Sequence, residues 1–434
     1  MGNDKPRLIV TTDIGGDPDD QQSMIRLMTH ANEFQIEGLI ASSTGKGRKA
    51  GKGHVRADLI EEIVGAYGEV RGNLASHAEG FPECDHLLER AVAGNARCGM
   101  DAIGEDRDTD GSRLIVSVVD AEDTRPVNVA MWGGQTDLAQ ALWRVKNDRS
   151  EANAARFVSR LRIHDIGDQD DLFGWIHAEF PSLWYVLDAA PEGADKRHAV
   201  YRGMYIGGDE AVTSLAWLRE HVIEGHGPLG ALYPTETWTA PNPNGALKEG
   251  DTPSWFYFLD HGLSDPAHPG WGGWGGRFIR KEVSLFSDAE DTMGGASSPH
   301  TTVNRWRPAY QNAFEARMDW CVLSYEEANH LPRAVLNGDD SRRVLEIRAA
   351  TGEDVRLDAA GSSDPDGDDL SYRWWRYEDA DSYAGGVRIE GASSEAVTVH
   401  VPEDAGGSEI HVILEVTDDG TPPLTSYRRA VIGV

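Results

Sequence analysis

Lysine and cysteine are scarce in this sequence, and positive charge is in short supply. Only eight of the 434 residues are Lys, and Lys plus Arg total 41 against 72 Asp plus Glu, a formal net charge of -31. Such a surface repels phosphates, which argues against nucleic acid or an anionic membrane as partner and favours cations and neutral polar ligands such as sugars. The Arg-heavy balance is compatible with a GC-rich or salt-adapted source. Three cysteines, Cys84, Cys98 and Cys321, form no C-x-x-C pair. Three chemically idle thiols are the expectation, with one Cys84–Cys98 bridge as the alternative in an exported protein. No run approaches about 18 consecutive apolar residues, so no membrane span is expected. The opening MGNDKPRLIV has no charged n-region followed by an apolar h-region. The expected location is the cytoplasm, or the periplasm or extracellular space if a signal peptide has been removed.

What is present is a globular composition, 40% hydrophobic and 26% charged, in a chain long enough for two domains. From residue 7 to about 330, short apolar runs (RLIVTTD, FQIEGLIAS, VNVAMWGG) alternate with amphipathic stretches (QQSMIRLMTHAN, VRADLIEEIVGAYGEV, TDLAQALWRV). Thr136 or Asp137 could cap the last of these. That alternation predicts an α/β domain, a mostly parallel sheet with flanking helices, with ligands bound beyond the carboxyl ends of the strands. Residues 225–310 are rich in Gly, Pro and Trp and predict long irregular loops. Their Trp238, Trp255, Trp271 and Trp274 could stack against sugars or simply pack on the core. After about Leu331 the pattern changes to period-two alternation between turn clusters, the mark of a small all-β, Ig-like sandwich. The expected division is 1–332 and 333–434.

Three acidic runs stand out. In TTDIGGDPDDQQ, Asp13, Asp17, Asp19 and Asp20 fall at the end of a buried strand. Crowded carboxylates repel unless a cation or proton intervenes, and an oxygen-only donor set suits calcium or magnesium, whereas zinc or copper would call for His or Cys. In IHDIGDQDDLFGW, Asp165, Asp168, Asp170 and Asp171 form a second loop, which is either a substrate wall or a capping turn for LFGWIHAEF. In DPDGDD (364–369), the twelfth position from Asp364 is Trp375 and a strand follows, so an EF-hand is rejected in favour of a β-turn with at most an incidental calcium. MYIGGDEA has too few glycines in register for a phosphate loop.

VTTDIGGDPDDQQSM resembles the opening signature of the nucleoside hydrolases. Together with GQTDLAQAL, FPSLWYV, GDTPSWFYFLDHGL and RWRPAYQNAFEARMDWC it resembles more closely a bacterial family, described as cellulose-binding, with a nucleoside-hydrolase-like domain and an Ig-like C-terminal module. The resemblance implies that Asp13 is a calcium ligand and general base, that Asp20 and Asp251 are calcium ligands, and that Trp132 offers its backbone carbonyl to the ion. It implies that Asp19 contacts sugar hydroxyls, a role the inserted Asp17 could take over. The second loop lies where such enzymes bring sugar-binding residues, so Asp170, Asp171 and Trp175 are the candidate substrate contacts. Purine-preferring nucleoside hydrolases carry a leaving-group His where this chain has Gly250; His164, His177, His261 and Asp170 are the candidate replacements.

Two functions follow. The first is a calcium-dependent glycosidase cleaving a carbohydrate or glycoside, in which Asp13 draws a proton from water as an oxocarbenium-like centre develops. The second is a non-catalytic protein binding a cellulose-like polysaccharide. An adhesin-like structural protein has only the C-terminal module behind it. The expected partner is a carbohydrate or glycoside, and self-association into a homo-oligomer is left open.

Overall fold

The computed structural model describes residues 5–45, 55–236 and 246–434. Its first sheet is built from β1 (Arg7–Thr12), β2 (Gln35–Ala41), β3 (Ala91–Ala93), β4 (Val127–Met131), β5 (Leu161–Ile166), β6 (Trp184–Asp188), β7 (Phe278–Arg280) and β8 (Leu285–Asp288). The strand order is β3-β2-β1-β4-β5-β6-β8-β7. Neighbours pair in parallel except at the β7–β8 edge, which is antiparallel. The mostly parallel α/β domain is therefore present, with one antiparallel hairpin at its edge.

Both faces of this sheet are buried, as parallel sheets require. In β1 the side chains alternate: Leu8 and Val10 enter one core, while Ile9 enters the other. The first core takes the helices Asp19–Thr29 and Ala57–His77, and the second takes Asp110–Asp120 and Thr136–Asp148. The first helix begins at Asp19, so two acids of the first acidic run sit in its opening turn, where the helix dipole favours negative charge.

A small hairpin follows, β9 (Asp291–Met293) with β10 (Ala296–Ser298). The C-terminal region then forms β11 (Leu345–Arg348), β12 (Asp354–Asp358), β13 (Ser371–Arg376), β14 (Arg388–Glu390), β15 (Ala396–His400), β16 (Glu409–Thr417) and β17 (Thr425–Gly433). They make two sheets, β11-β17-β16-β13 and β12-β15-β14, closing on a core that includes Leu357, Trp374, Val399, Val412 and Ile432. Pairing is antiparallel apart from β11 with β17. Tyr377, Ile413 and Tyr427 of this region join the first core of the large sheet, where Trp306 meets Trp375, Tyr377 and Tyr427. Arg429, fully buried, donates to the carbonyls of Trp271 and Gly272.

Among the described residues no helix is long and apolar enough to cross a membrane. The three cysteines are thiols, so the Cys84–Cys98 bridge is not formed; Cys84 instead donates to the Val64 carbonyl. The Gly/Trp-rich segment packs inward. Trp255, Trp271 and Trp274 are buried against Phe256, His268 and Tyr427 respectively, while Trp238 lies outside the described residues.

Candidate active site

At the carboxyl ends of β1, β4, β5 and β6 lies a cavity of about 790 Å³. Asp13, Asp17, Asp19, Asp20, Trp132, Lys248 and Asp251 contribute to its lining, and the Ala189–Arg202 segment forms one wall. Asp13 directly follows β1, and the turn is closed by Gly16 N–H donating to the Asp13 carbonyl. A Cβ at residue 133 would sit 2.7 Å from the Asp13 nitrogen and 2.9 Å from its carboxylate. Only glycine there lets Asp13 occupy its place.

One carboxylate oxygen from each of Asp19, Asp20 and Asp251 lies within 4.8 Å of the others. Asp13 stands beside this trio, and its charge acts on both Asp20 and Asp251. Burial raises the Asp13 carboxyl to about 7, with the charge of Asp19 the next contribution. Burial also holds Asp20 and Asp251 well above the ordinary range, reinforced by the other carboxylates. Asp251 Oδ2 is buried without a hydrogen-bond partner. Four oxygen-bearing side chains, one carrying an orphaned atom, form a donor set that fits a hard cation.

The sequence places Asp251 far from the first loop; the structure joins them through one helix face. Asp19, Gln22 and Arg26 follow one another at helical spacing. Gln22 accepts from the N–H groups of Lys248 (2.9 Å) and Glu249 (3.2 Å) and donates to the carbonyls of Pro234 and Ala246. Arg26, fully buried, pairs with Glu249, which also takes the Tyr233 hydroxyl at 2.6 Å. The helix that presents Asp19 and Asp20 therefore also fixes the loop that presents Asp251.

Sequence reasoning passed over Lys248. Its ammonium lies 3.0 Å from Asp19 and pairs with Asp17. Burial works against its charge, but Asp19 and Asp17 outweigh that and hold it protonated. The inserted Asp17 thus has a resident counter-ion. The available signal was the K-E-G-D spacing in a chain with so few lysines. Tyr201 was also missed: a Cβ at Gly250 would be 3.4 Å from its ring and 3.3 Å from Asp19. A third omission was Gln169, which donates to the Trp132 carbonyl, the oxygen expected to face calcium.

The second acidic loop does different work. Asp170 accepts from the N–H groups of Gly45 (2.8 Å) and Thr136 (3.1 Å) and from the Thr136 hydroxyl. It caps the helix Thr136–Asp148 from a distance, where Thr136 or Asp137 was expected to cap it locally. Asp168 accepts from Phe173 N–H at the start of the next helix, and Asp165 accepts from Tyr185 and Gln135. Asp171 is exposed and Trp175 packs against Phe180. Asp170, Asp171 and Trp175 therefore lie outside the cavity lining, and the loop delivers Gln169 to it in their place.

No candidate leaving-group acid reaches the cavity either. His164 is fully buried and His261 partly so, and burial lowers each to about 3, so both are neutral. His164 packs on Tyr257 and Phe278, His261 on Trp274 and Tyr427. His177 stacks on Phe173 and faces Glu282. Among the described residues no imidazole lines the cavity.

Fold and carboxylate pocket together define a nucleoside-hydrolase-like α/β protein carrying an all-β C-terminal module. The chain belongs to the cellulose-binding Sde182 family: the model of its nucleoside hydrolase-like domain matches residues 7–278, and that of the Sde0182 C-terminal domain matches residues 354–434. Among solved structures it is similar to a nucleoside hydrolase-related hypothetical protein from Saccharophagus degradans, described as associated with carbohydrate metabolism. The two are 38% identical over 99% of this chain and 100% of the other, with a TM-score of 0.84. A PKD domain from the KIAA 1837 protein also matches, at 23% identity over 21% of this chain and 79% of its own, but its TM-score of 0.16 carries no argument. No curated protein matches.

Proposed function

We propose that the cavity is a cation-dependent carbohydrate site and that the protein is a calcium-dependent glycosidase acting on a carbohydrate or other glycoside. One observation carries this reading. The Asp13, Asp19, Asp20 and Asp251 carboxylates converge at the base of a cavity with the volume of a ligand site, and Asp251 Oδ2 has no partner. Asp19, Asp20 and Asp251, with Asp13 beside them, would hold the ion. Calcium, when bound, supplies a charge that draws in sugar hydroxyls and makes a nearby water easier to deprotonate.

The remaining work belongs to the chain's own residues. Asp13, seated by Gly16 and Gly133, is placed to take a proton from water. Lys248 fixes Asp17 and Asp19 and keeps a positive charge at the wall. Tyr201 covers the side where nucleoside hydrolases carry their imidazole, so a purine leaving group would lack its proton donor here. An already acidic leaving group, such as an aryloxide, needs no such donor and is the better fit, whereas an alkyl glycosidic oxygen would have to take its proton from water. That same missing donor favours the second reading, a carbohydrate-binding protein that holds its ligand uncleaved. The family description as cellulose-binding and the neighbour's association with carbohydrate metabolism support a carbohydrate ligand under either reading.

The test is a panel of aryl glycosides, oligosaccharides and nucleosides incubated with the full chain, with and without chelator. Chelator-sensitive release of a sugar supports the hydrolase. Saturable oligosaccharide binding by calorimetry with no turnover of any substrate replaces it with the binding protein.

A further inference from the structure

The third acidic run, set aside as an EF-hand, lies against the junction between the two parts of the chain. One carboxylate oxygen from each of Asp364, Asp366 and Asp368 falls within 4.8 Å of the others. Asp364 Oδ1 accepts from the N–H groups of Asp366, Gly367 and Asp368 at 2.8–3.2 Å. Those three donors fold the turn around one oxygen, and the other, Oδ2, is buried without a partner. An acidic turn that served only solvation would leave that oxygen in water.

A second, separate observation comes from the turn after β16. Asp418 is only 4% exposed. Its Oδ1 is fully used, accepting from Asn329 Nδ2 and from the N–H groups of Gly420 and Leu424. Its Oδ2 is buried and unpartnered, like that of Asp364. The two carboxylates are near enough that the charge of Asp364 adds to the burial that raises the Asp418 carboxyl. Two buried orphan oxygens on neighbouring turns, one of them within the group Asp364, Asp366 and Asp368, are costly as they stand and are donors that a cation would satisfy.

The remaining contacts tie this cluster to the N-terminal domain. Asp366 accepts from His330 N–H and lies 2.9 Å from His330 Nδ1. His330 in turn meets His77 at the end of the helix Ala57–His77, Nε2 to Nδ1 at 2.9 Å, and stacks between Tyr325 and Trp320. Asn329, next in the chain, is the side chain that holds Asp418. The connecting segment therefore touches the acidic cluster through two consecutive residues.

We propose that Asp364, Asp366, Asp368 and Asp418 form a calcium site that fastens the C-terminal module to the nucleoside-hydrolase-like domain. The donors are all carboxylate oxygens, and the cluster is open on the Asp366 side, where water can complete the shell. Calcium accepts that irregular arrangement, whereas magnesium demands a near-ideal octahedron. The site is separate from the Asp19–Asp20–Asp251 pocket, and its ion acts mechanically, neutralising a charged turn at the joint.

Calcium alone is titrated calorimetrically into the full chain and into Asp368→Asn, with thermal unfolding followed in parallel. Asp368 joins the turn through its N–H, which the variant retains. The expected result is one ion fewer than in the wild type, or at least about a tenfold weaker one, as ligand charge count sets affinity. The calcium-dependent rise in Tm shrinks with it, and the near-ultraviolet signal of Tyr325 and Trp320 stops responding to calcium. Asp20→Asn, which disables the pocket, leaves this response intact, so failure of the pocket reading and failure of the junction site are distinguishable. An unchanged ion count, affinity and Tm response in Asp368→Asn, or a wild type that binds no calcium beyond the ion lost in Asp20→Asn, overturns the proposal.

Discussion

The loops G-D-P-D-D and G-D-Q-D-D are nearly the same word, and the folded chain uses them in opposite ways. In the first, Asp19 and Asp20 enter a helix and point their carboxylates at Asp251, so negative charge accumulates at the cavity base. In the second, each of Asp165, Asp168 and Asp170 accepts from named N–H or O–H donors and serves as a cap or brace. The difference lies in what surrounds the acids. Gln135, Thr136 and Gly45 deliver donors to the second loop from distant segments, whereas the first loop, apart from the Thr12 hydroxyl on Asp20, meets further carboxylates and the Lys248 ammonium. Carboxylates met singly by N–H and O–H donors hold structure; carboxylates gathered around one shared space ask for a cation.

The largest expected effect tests that contrast directly. Asp251→Asn or Asp20→Asn should abolish chelator-sensitive turnover, a loss of about a thousandfold or more, while Asp171→Asn, on exposed backbone, should leave kcat/KM within about twofold. Steady-state kinetics on the best substrate of the panel measures both. An equal loss from Asp171→Asn would return the second loop to the substrate wall and break the distinction.

Next in size is a stability effect. Asp170→Ala strands the N–H groups of Gly45 and Thr136 and removes a helix cap, costing about 2–3 kcal/mol. Urea unfolding should show a lower midpoint with an unchanged slope, and calcium affinity of the folded protein should hold. A loss of calcium affinity with stability intact would make Asp170 part of the site.

How far the sequence revealed all this follows the same line. The apolar runs ending in polar residues disclosed β1, β2 and β4 and the end of the sheet where ligands bind, because burial on both faces leaves a local mark. The Asp13–Asp20 cluster and Asp251 were legible through their family resemblance. The caps were not, since Asp170 reaches Thr136 across 34 residues and Gly45 across 125, and no local pattern encodes such a bond. The tryptophans of the Gly-rich loops stayed open between two readings for a related reason: composition marks an irregular backbone, but only packing shows that Trp255 and Trp274 face the core. The antiparallel β7–β8 edge lay hidden in that same segment.

Lys248 sharpens the comparison from the other side, as the one ammonium that the described residues place among the acids of the first loop. Lys248→Gln removes the ammonium from beside Asp17 and Asp19. Divalent binding at the pocket should tighten by about tenfold, since the ion then meets a more negative site. Calorimetry in the Asp368→Asn background reads the pocket alone. Weaker binding would mean that the ammonium positions Asp19 for the ion and does not compete with it.

The smallest effect isolates what a buried acid costs when only one of its two oxygens has donors. Asp165 Oδ2 receives the Tyr185 hydroxyl at 2.6 Å and Gln135 Nε2 at 2.9 Å, its Oδ1 is buried without a partner, and burial raises its carboxyl to about 7. In the unfolded chain it titrates near its ordinary value of about 3.9. The folded state therefore binds this proton more tightly, and the resulting stabilisation is fully present below about pH 3.9 and is lost as the pH rises towards 7. Asp165→Asn keeps the accepting oxygen and has no charge to bury. Between about pH 4 and 7 the stability of this variant should fall less steeply than that of the wild type, as measured by urea midpoints at several pH values with chelator present. Parallel profiles would show that the Tyr185 and Gln135 donors on Oδ2 already offset the burial of Asp165, its unpartnered Oδ1 included, so that the second loop carries no residual cost.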